Sequence, residues 1–329
     1  MTIRPLLLAA CLSGTLSWAE APRDLQTQLE NWHQGRAGGA AAAWVDTDGI
    51  VFAQTGVRSA QDPTPIDADT QFEIGSITKV FTALLLAESE HRGKVNRQDP
   101  VGNYLLPASD AKQRELAPIT LLTLVTHTSG LPRLPSNIGP NPDANPDPYA
   151  NYTRDDLIQA LRSSTPPRSE KSRFAYSNFG VALLGEALAS AWKTSYDTAL
   201  RTQILDPLGL RTTTLSLTGS EAPAHLAPGH SESTVVPPWN FQAFAPAGAL
   251  RSSARDMGRF LQEVWRLDSP VRTAIDLTLQ SQAENADTGG EVGLGWMLIR
   301  HEGRLVAWHN GATHGYRSMI AVEPGARRG

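Results

Sequence analysis

The chain has 329 residues, of which 40% are hydrophobic and 19% are charged, and its 29 basic and 33 acidic residues give a net charge of −4. This composition is typical of an ordinary globular domain and excludes a disordered or fibrous chain. It also disfavours nucleic-acid binding, because a phosphate-binding surface needs an excess of Lys and Arg that this sequence lacks.

The first 19 residues have the pattern of an export signal. Arg4 supplies a positive charge, Leu6 to Leu16 form an apolar segment, and Ala19 ends a small-residue cleavage site. The single cysteine, Cys11, lies inside this segment, and the alternative is a lipoprotein anchor at Cys11. Cleavage after Ala19 removes the cysteine, so thiol catalysis, disulfides and cysteine metal sites are excluded from the mature chain. No other apolar run is long enough for a transmembrane span.

The rest of the sequence predicts strands at both ends and helices between them. Residues 135–148 are rich in proline and are predicted to form a loop. Hydrophobic spacing and caps predict helices over 24–32, 77–90, 119–126, 153–161, 179–191, 195–205 and 254–265. Short apolar runs between turns predict strands over 40–45, 51–55, 294–300, 304–309 and 318–322.

These elements indicate an α/β (α+β) fold in a single catalytic domain over 20–329. We expect an antiparallel sheet flanked by helices, in a mixed lobe built from about 20–90 and 246–329. An inserted all-helical lobe is expected over about 91–245. A cleft between two such lobes is the usual place for a small-molecule site.

Ser76 and Lys79 are the first candidate catalytic residues. They are three residues apart at the start of the predicted helix 77–90, so both side chains project from one face. The helix N-terminus stabilises negative charge on a serine oxygen, and a neutral amine beside it can accept its proton. Ser190 and Lys193 repeat the spacing, but at a helix end, where the dipole has the opposite sign.

Tyr176 and Asn178 lie in a polar loop before the predicted helix 179–191. A phenol beside an ammonium loses its proton more easily, so Tyr176 is suited to act as a base toward serine and an acid toward a leaving amine. Asn178 is suited to orient the lysine and to bind a substrate amide. Tyr149 and Asn151 repeat the pattern within the proline-rich loop, and a structural role is the alternative for each tyrosine.

The third candidate segment is His309-Asn310-Gly311-Ala312, which follows the predicted strand near the end of the chain. His-x-Gly occurs at three further places, but this copy continues into more small residues up to Gly315. Small side chains let a substrate backbone lie along the strand, and a backbone N–H here can face a developing oxyanion.

In this order, the three motifs resemble those of the class C β-lactamase-like and penicillin-binding-protein-like serine hydrolases. The resemblance covers about residues 40–323. It is carried by Phe72 to Ala83 around the serine, by segments within 119–132, by Phe174 to Gly180 and by Pro207 to Leu210.

The resemblance implies a role for each candidate residue. Ser76 would attack the substrate carbonyl and become acylated, while Lys79 and Tyr176 would share the proton taken from it. Asn178 would position the lysine and the substrate amide. The backbone N–H groups of Ser76 and Ala312 would form the oxyanion hole. Water would then hydrolyse the acyl-enzyme, and neither a metal nor an organic cofactor is implied.

His309 departs from the pattern of the family that the chain resembles, because lactamases of this class have Lys-Thr-Gly at this motif. A largely neutral imidazole attracts a substrate carboxylate less strongly than an ammonium does. We therefore expect a peptidoglycan-like peptide, an ester or a weakly processed β-lactam as the substrate, with D-Ala-D-Ala peptidase, D-aminopeptidase or esterase activity. A penicillin-binding or sensor module without turnover is the alternative. The oligomeric state is left open.

Two expectations concern the ends of the chain. The export signal predicts a periplasmic or secreted protein. The resemblance implies a further strand and helix after the segment Ser318 to Glu323, so we expect the C-terminus to be truncated.

Overall fold

A computed structural model describes residues 24–139, 147–166, 173–215, 225–285 and 287–329. The predicted signal 1–19, with Cys11, and residues 140–146 of the predicted proline-rich loop lie outside the described residues. The described helices are α1 (Leu25–His33), α2 (Thr78–His91), α3 (Gly102–Leu105), α4 (Ala111–Glu115), α5 (Leu121–Val125), α6 (Arg154–Ser163), α7 (Asn178–Trp192), α8 (Tyr196–Leu200), α9 (Ala245–Gly248), α10 (Ala254–Glu263) and α11 (Arg272–Thr278).

The described strands pair in an antiparallel sense throughout, which confirms the predicted antiparallel sheet flanked by helices. The largest sheet has the order β12-β11-β10-β9-β8, a smaller one has the order β3-β7-β4, and β1–β2 and β5–β6 are hairpins. The strands are β1 (Gly39–Asp46), β2 (Gly49–Gly56), β3 (Gln71–Glu73), β4 (Thr214–Leu215), β5 (Gly229–Ser231), β6 (Thr234–Val236), β7 (Leu250–Ser253), β8 (Ala283–Asn285), β9 (Gly290–Val292), β10 (Met297–His301), β11 (Arg304–Ala312) and β12 (Arg317–Val322).

The two ends of the chain meet at β1. Gly329 donates its main-chain N–H to the Val45 carbonyl at 2.9 Å, and the Val45 N–H donates back to the Gly329 carbonyl at 2.8 Å. Helices α1 and α10 pack on the β1–β2 hairpin. The terminal segments therefore combine into one mixed layer of strands and helices.

Helix α2 lies at the centre of the core. Its residues Thr78 to Ser89 are all buried, which is the pattern of a helix enclosed on every side. It packs against α7, α8, α9 and α11, and the turn that precedes it contacts β11 and β12. The first turn of α2 is therefore held rigidly where the helices meet the large sheet.

Polar side chains cap the helices near the predicted start positions. Each cap accepts a hydrogen bond from a backbone N–H two or three residues further on. The caps are Asp24, Asp110, Thr120, Thr153, Ser177, Ser195 and Ser253. The carboxylate of Asp256, three residues after the cap Ser253, accepts the Thr212 N–H at 2.7 Å.

Several element boundaries differ from the sequence-based prediction. The strand predicted over 294–300 begins only at Met297, because Gly295 has φ +71° and the Gly293 N–H donates to the Trp296 carbonyl in a turn. The helix predicted over 195–205 passes into a π-helical turn at Arg201–Leu205. Between α2 and α9 the chain also contributes the short strands β4 to β6. Among the described residues, no helix is long and apolar enough to cross a membrane.

A buried ion pair anchors β3 to β7 close to the candidate serine. Arg251 Nη2 lies 3.2 Å from Glu73 Oε1, and these side chains are 1% and 3% exposed. The two residues are register partners, and Glu73 Oε1 also accepts the Trp239 N–H at 3.0 Å. Burial raises the pKa of Glu73, and Arg251 opposes that effect. Because Glu73 precedes Ser76 by three residues, this pair fixes the strand from which the serine turn starts.

The substitution Arg251→Leu is expected to lower the free energy of unfolding by about 3–5 kcal/mol, because it leaves the Glu73 carboxylate buried without its cation. The control Arg255→Leu breaks the exposed Arg255–Asp69 pair and should cause a much smaller loss. Urea unfolding of the two variants measures the difference. Equal losses would contradict a structural role for the buried pair.

Candidate active site

Ser76 lies in a 3₁₀ turn, Gly75–Ile77, that leads directly into α2. Gly75 has φ +50°, and a Cβ built there would lie 2.7 Å from the Ala312 nitrogen, so both conformation and space require glycine. The turn presents the half-buried Ser76 side chain to Lys79, whose Nζ donates to Ser76 Oγ at 3.1 Å. The predicted pairing of serine and lysine on one helix face is present in the structure.

The Lys79 amine is almost completely enclosed, with 1% of the residue exposed. It also donates to the Ala247 carbonyl at 2.6 Å. Burial lowers the pKa of Lys79 well below its ordinary value, because the ammonium loses its hydration, and the positive charge of Arg133 lowers it further. The site therefore favours a neutral amine, which can accept a proton from Ser76.

The Tyr176 ring lies against the same amine. Lys79 Nζ is 4.9 Å from the ring centroid, and the guanidinium carbon of Arg133 is 5.0 Å from it. Burial raises the pKa of Tyr176 to about 12, although its hydrogen bond with Ser76 and the charge of Arg133 act in the opposite direction. Neighbouring positive charge lowers the pKa of the phenol, as expected, but desolvation is the larger effect. Tyr176 keeps its proton at neutral pH.

His127 accepts hydrogen bonds from the backbone on both sides of Tyr176. Its carbonyl accepts the Ala175 N–H at 2.8 Å, and its Nδ1 accepts the Ser177 N–H at 3.1 Å. Its ring also contacts the Tyr176 ring, with centroids 4.5 Å apart and an angle of 35° between the ring planes. Because Nδ1 accepts a hydrogen bond, the neutral imidazole carries its hydrogen on Nε2. His127 was not among the candidate residues, and the only sequence signal for it is its place in the segment 119–132 that resembles the family.

Asn178 is the first residue of α7, directly after the cap Ser177. Its Nδ2 donates to the Tyr149 hydroxyl at 3.4 Å, and its buried Oδ1 has no hydrogen-bond partner among the described residues. A buried, unpaired acceptor is suited to receive a substrate N–H. The predicted contact between Asn178 and Lys79 is replaced by the lysine's bond to Ala247.

Tyr149, from the repeated motif, has a structural position in an aromatic cluster. Its ring stacks on Phe241 at 5.2 Å and contacts Trp239 and Phe244 at 5.5 and 4.7 Å between centroids. These contacts are consistent with a structural role for Tyr149.

Strand β11 places its residues against the serine turn. His309 and Gly311 are buried and Asn310 and Ala312 are exposed, as the alternation of a strand requires. A Cβ at Gly311 would collide with the Ile74 carbonyl oxygen. Glycine is therefore needed for β11 to approach the turn, and this approach brings the Ala312 main chain beside Gly75, as the predicted oxyanion hole requires.

His309 supplies no positive charge at neutral pH. Its Nδ1 lies 2.6 Å from the Asn310 carbonyl oxygen, and its buried Nε2 has no partner among the described residues. Burial lowers the pKa of His309 to about 3, and the nearby Lys79 contributes to this effect. Its ring centroid is 6.3 Å from that of Tyr176, so the neutral imidazole lies within the site.

The two buried histidines should make stability fall in acid. Burial lowers the pKa of His127 as well, so between pH 6.5 and the folded pKa values the unfolded chain binds protons that the folded chain does not. Each histidine then contributes a slope of up to about 1.4 kcal/mol per pH unit. We expect His309→Gln to show a shallower loss of unfolding free energy than the wild type between pH 7 and 5.

The control for this experiment is His301→Gln, which replaces an exposed histidine on the same sheet. Its stability should follow the wild-type pH dependence. Urea unfolding at several pH values measures all three proteins, and identical slopes for His309→Gln and the wild type would contradict a neutral, buried His309.

The described residues contain no group of three or more His, Cys, Asp or Glu side chains arranged to hold a metal ion.

The β-lactamase family model matches residues 22–329. D-alanyl-D-alanine-carboxypeptidase/endopeptidase AmpH of Escherichia coli (strain K12) is 27% identical over 302 residues, which are 88% of this chain and 77% of that protein. A β-lactamase of Providencia stuartii is 29% identical over 71% of this chain, and the match spans only 56% of that relative's length.

Two crystal structures have the same fold. The class C β-lactamase from Rhodobacter sphaeroides superposes with a TM-score of 0.75 at 25% identity, covering 93% of this chain and 92% of that one. The β-lactamase/D-alanine carboxypeptidase from Yersinia pestis, complexed with citrate, superposes with a TM-score of 0.75 at 25% identity. The match covers 94% of this chain and 92% of that one. With the family model matching nearly the whole described chain, the protein belongs to the β-lactamase family of serine hydrolases.

Proposed function

We propose that this protein hydrolyses acyl substrates through a covalent acyl-enzyme on Ser76. The observation that carries the proposal is the buried Lys79 amine, 3.1 Å from Ser76 Oγ. Because burial favours the neutral form, this amine can accept the hydroxyl proton as the oxygen attacks a carbonyl. Lys79 is the general base of the proposal.

Tyr176 is proposed as the acid that protonates the leaving group. Its raised pKa supports this role, because a phenol that keeps its proton at neutral pH can donate it. During acylation the bond from Ser76 Oγ to the carbonyl carbon forms, Lys79 takes the serine proton, and Tyr176 protonates the departing nitrogen or oxygen. The proton on Lys79 then passes to Tyr176. In deacylation, water loses a proton to Lys79, and Ser76 Oγ regains one as the acyl group leaves.

The oxyanion hole is proposed at the N–H groups of Ser76 and Ala312. The close approach at Gly75 and Gly311 supports it, because both glycines let the two main chains lie side by side. Asn178 is proposed to receive a substrate N–H on its unpaired Oδ1.

The proposed substrates are peptidoglycan-like peptides, esters and β-lactams. The relatives named β-lactamase and D-alanyl-D-alanine-carboxypeptidase/endopeptidase support this range. We also propose that the N-terminal signal exports the protein to the periplasm or beyond, where such substrates occur.

The substitution Ser76→Ala is expected to abolish covalent labelling by a fluorescent penicillin or a fluorophosphonate, and to lower kcat by about 1,000-fold or more. The matched control is Ser190→Ala, which removes the exposed serine of the repeated Ser-x-x-Lys motif and should label like the wild type. Gel fluorescence and ester hydrolysis measure both effects. Labelling that persists in Ser76→Ala would overturn the proposal.

The same experiment tests the alternative of a binding or sensor module. Such a module would be acylated stoichiometrically at Ser76 and would release no further product. Steady turnover of an ester or peptide by the wild type would exclude it, and a single burst without turnover would favour it over the hydrolase.

A further inference from the structure

A buried chain of hydrogen bonds connects Tyr196, at the start of α8, to the short helix α9. Its middle member is Thr82, which lies on α2 three residues after Lys79. Thr82 Oγ1 is 2.6 Å from the Tyr196 hydroxyl oxygen and 2.7 Å from the Pro246 carbonyl oxygen. Both side chains are buried, and the proposed reaction uses neither of them. The chain therefore crosses the core of the protein without reaching the substrate.

The number of hydrogens on each group fixes the direction of the chain. The Thr82 hydroxyl carries one hydrogen and the Pro246 carbonyl can only accept, so their short contact makes Thr82 the donor. The Tyr196 hydroxyl must then donate to Thr82. Burial raises the pKa of Tyr196, so the phenol keeps this hydrogen at physiological pH. Tyr196 thus strengthens the bond from Thr82 to Pro246, because successive hydrogen bonds polarise one another.

The Pro246 carbonyl needs this donor because α9 ends after a single turn. In a longer helix the Leu250 N–H would donate to it, but here that N–H donates to Thr78 Oγ1 at 3.1 Å. Pro246 is also held from α7, where a Cβ built at Gly185 would lie 2.0 Å from Pro246 Cγ. The Thr82 hydroxyl therefore takes the place of a main-chain donor in a closely packed turn.

Lys79 bonds to the next carbonyl of the same helix. Its Nζ donates to the Ala247 carbonyl at 2.6 Å, and Thr82 lies on the same face of α2 because it is three residues further on. With the Pro246 carbonyl bound to Thr82, the adjacent Ala247 carbonyl has a fixed position. The amine of Lys79 is thus held between this carbonyl and Ser76 Oγ, which is 3.1 Å away.

We propose that Tyr196 is a positioning residue for the Lys79 amine, on which it acts through Thr82 and the main chain of α9. This inference rests on the proposed function, in which Lys79 takes the proton of Ser76. A neutral amine has two hydrogens and one lone pair. A hydrogen bonded to the Ala247 carbonyl stops the rotation of the amine, so its lone pair can be directed at the serine hydroxyl. Without the Tyr196 hydroxyl, α9 is held less firmly and this alignment is partly lost.

The substitution Tyr196→Phe tests the inference by removing the first donor of the chain. We expect the maximal rate of Ser76 labelling by a fluorophosphonate to fall about 10- to 100-fold, since a small misplacement of the base slows proton transfer. The probe concentration that gives half the maximal rate should not change, because no group of the proposed substrate site is altered. The matched control is Tyr152→Phe, which removes a buried hydroxyl bonded to Asn137 Oδ1 at 2.6 Å and should label at the wild-type rate.

Two substitutions of Thr82 distinguish positioning from packing. Thr82→Val keeps the shape of the side chain and removes the hydroxyl, whereas Thr82→Ser keeps the hydroxyl and removes a methyl group. We expect Thr82→Val to label as slowly as Tyr196→Phe and Thr82→Ser to keep most of the wild-type rate. A larger loss in Thr82→Ser, or equal losses in both variants, would overturn the inference. This pair carries the test if Tyr196→Phe does not fold.

The outcomes also separate this inference from the proposed function. Wild-type labelling rates in Tyr196→Phe and Thr82→Val, with no labelling of Ser76→Ala, would overturn the role of Tyr196 alone. Equal losses in Tyr196→Phe and Tyr152→Phe would overturn that role too, because any buried hydroxyl would then have the same effect. Labelling that persists in Ser76→Ala would overturn the proposed function itself.

Discussion

The contact between the buried Lys79 amine and the Ser76 hydroxyl is the interaction on which the rest of the site depends. A lysine in water is protonated at neutral pH and cannot act as a base. Here α2 is enclosed on all sides, so the amine at its first turn loses the hydration that would stabilise its charge. The packing of one helix thus lowers the pKa of this amine, which is the direction that the proposed role of Lys79 as a base needs.

Two close approaches of the backbone place the remaining groups around this pair. Gly75 and Gly311 let β11 lie against the serine turn, and any larger residue would separate the two main chains. On the other wall, the two hydrogen bonds and the ring of His127 hold the segment that carries Tyr176. The Glu73–Arg251 pair secures the strand in front of the serine. These contacts tie the loop segments of the site to the strands and helices around them.

Much of this could be predicted from local sequence. The spacing of Ser76 and Lys79 at a helix start, and the caps of the long helices, are local features that single-sequence patterns report well. The two- to four-residue strands β3, β4 and β7 are too short for any period to emerge. The turn at Gly295 displaced a predicted strand, because its apolar neighbours are buried without being extended.

The electrostatics of the site could not be predicted in the same way. The pKa of Tyr176 depends on how completely the phenol is desolvated, which only the tertiary structure reveals. The contacts of His127 and Arg133 with Tyr176 could not be predicted either, because both residues lie in a loop more than forty positions earlier in the chain. Sequence patterns identify the reacting groups, but the residues that tune and position them come from distant segments.

The most direct test of this account is the protonation state of Lys79. The chain has only five lysines, so ¹³Cε-labelled lysine gives a simple NMR spectrum, and Lys79→Arg identifies the signal of Lys79. The account predicts that this signal titrates well below the ordinary lysine value of about 10.4. Titration of Lys79 at the ordinary lysine value would contradict the claim that burial makes it the base for Ser76.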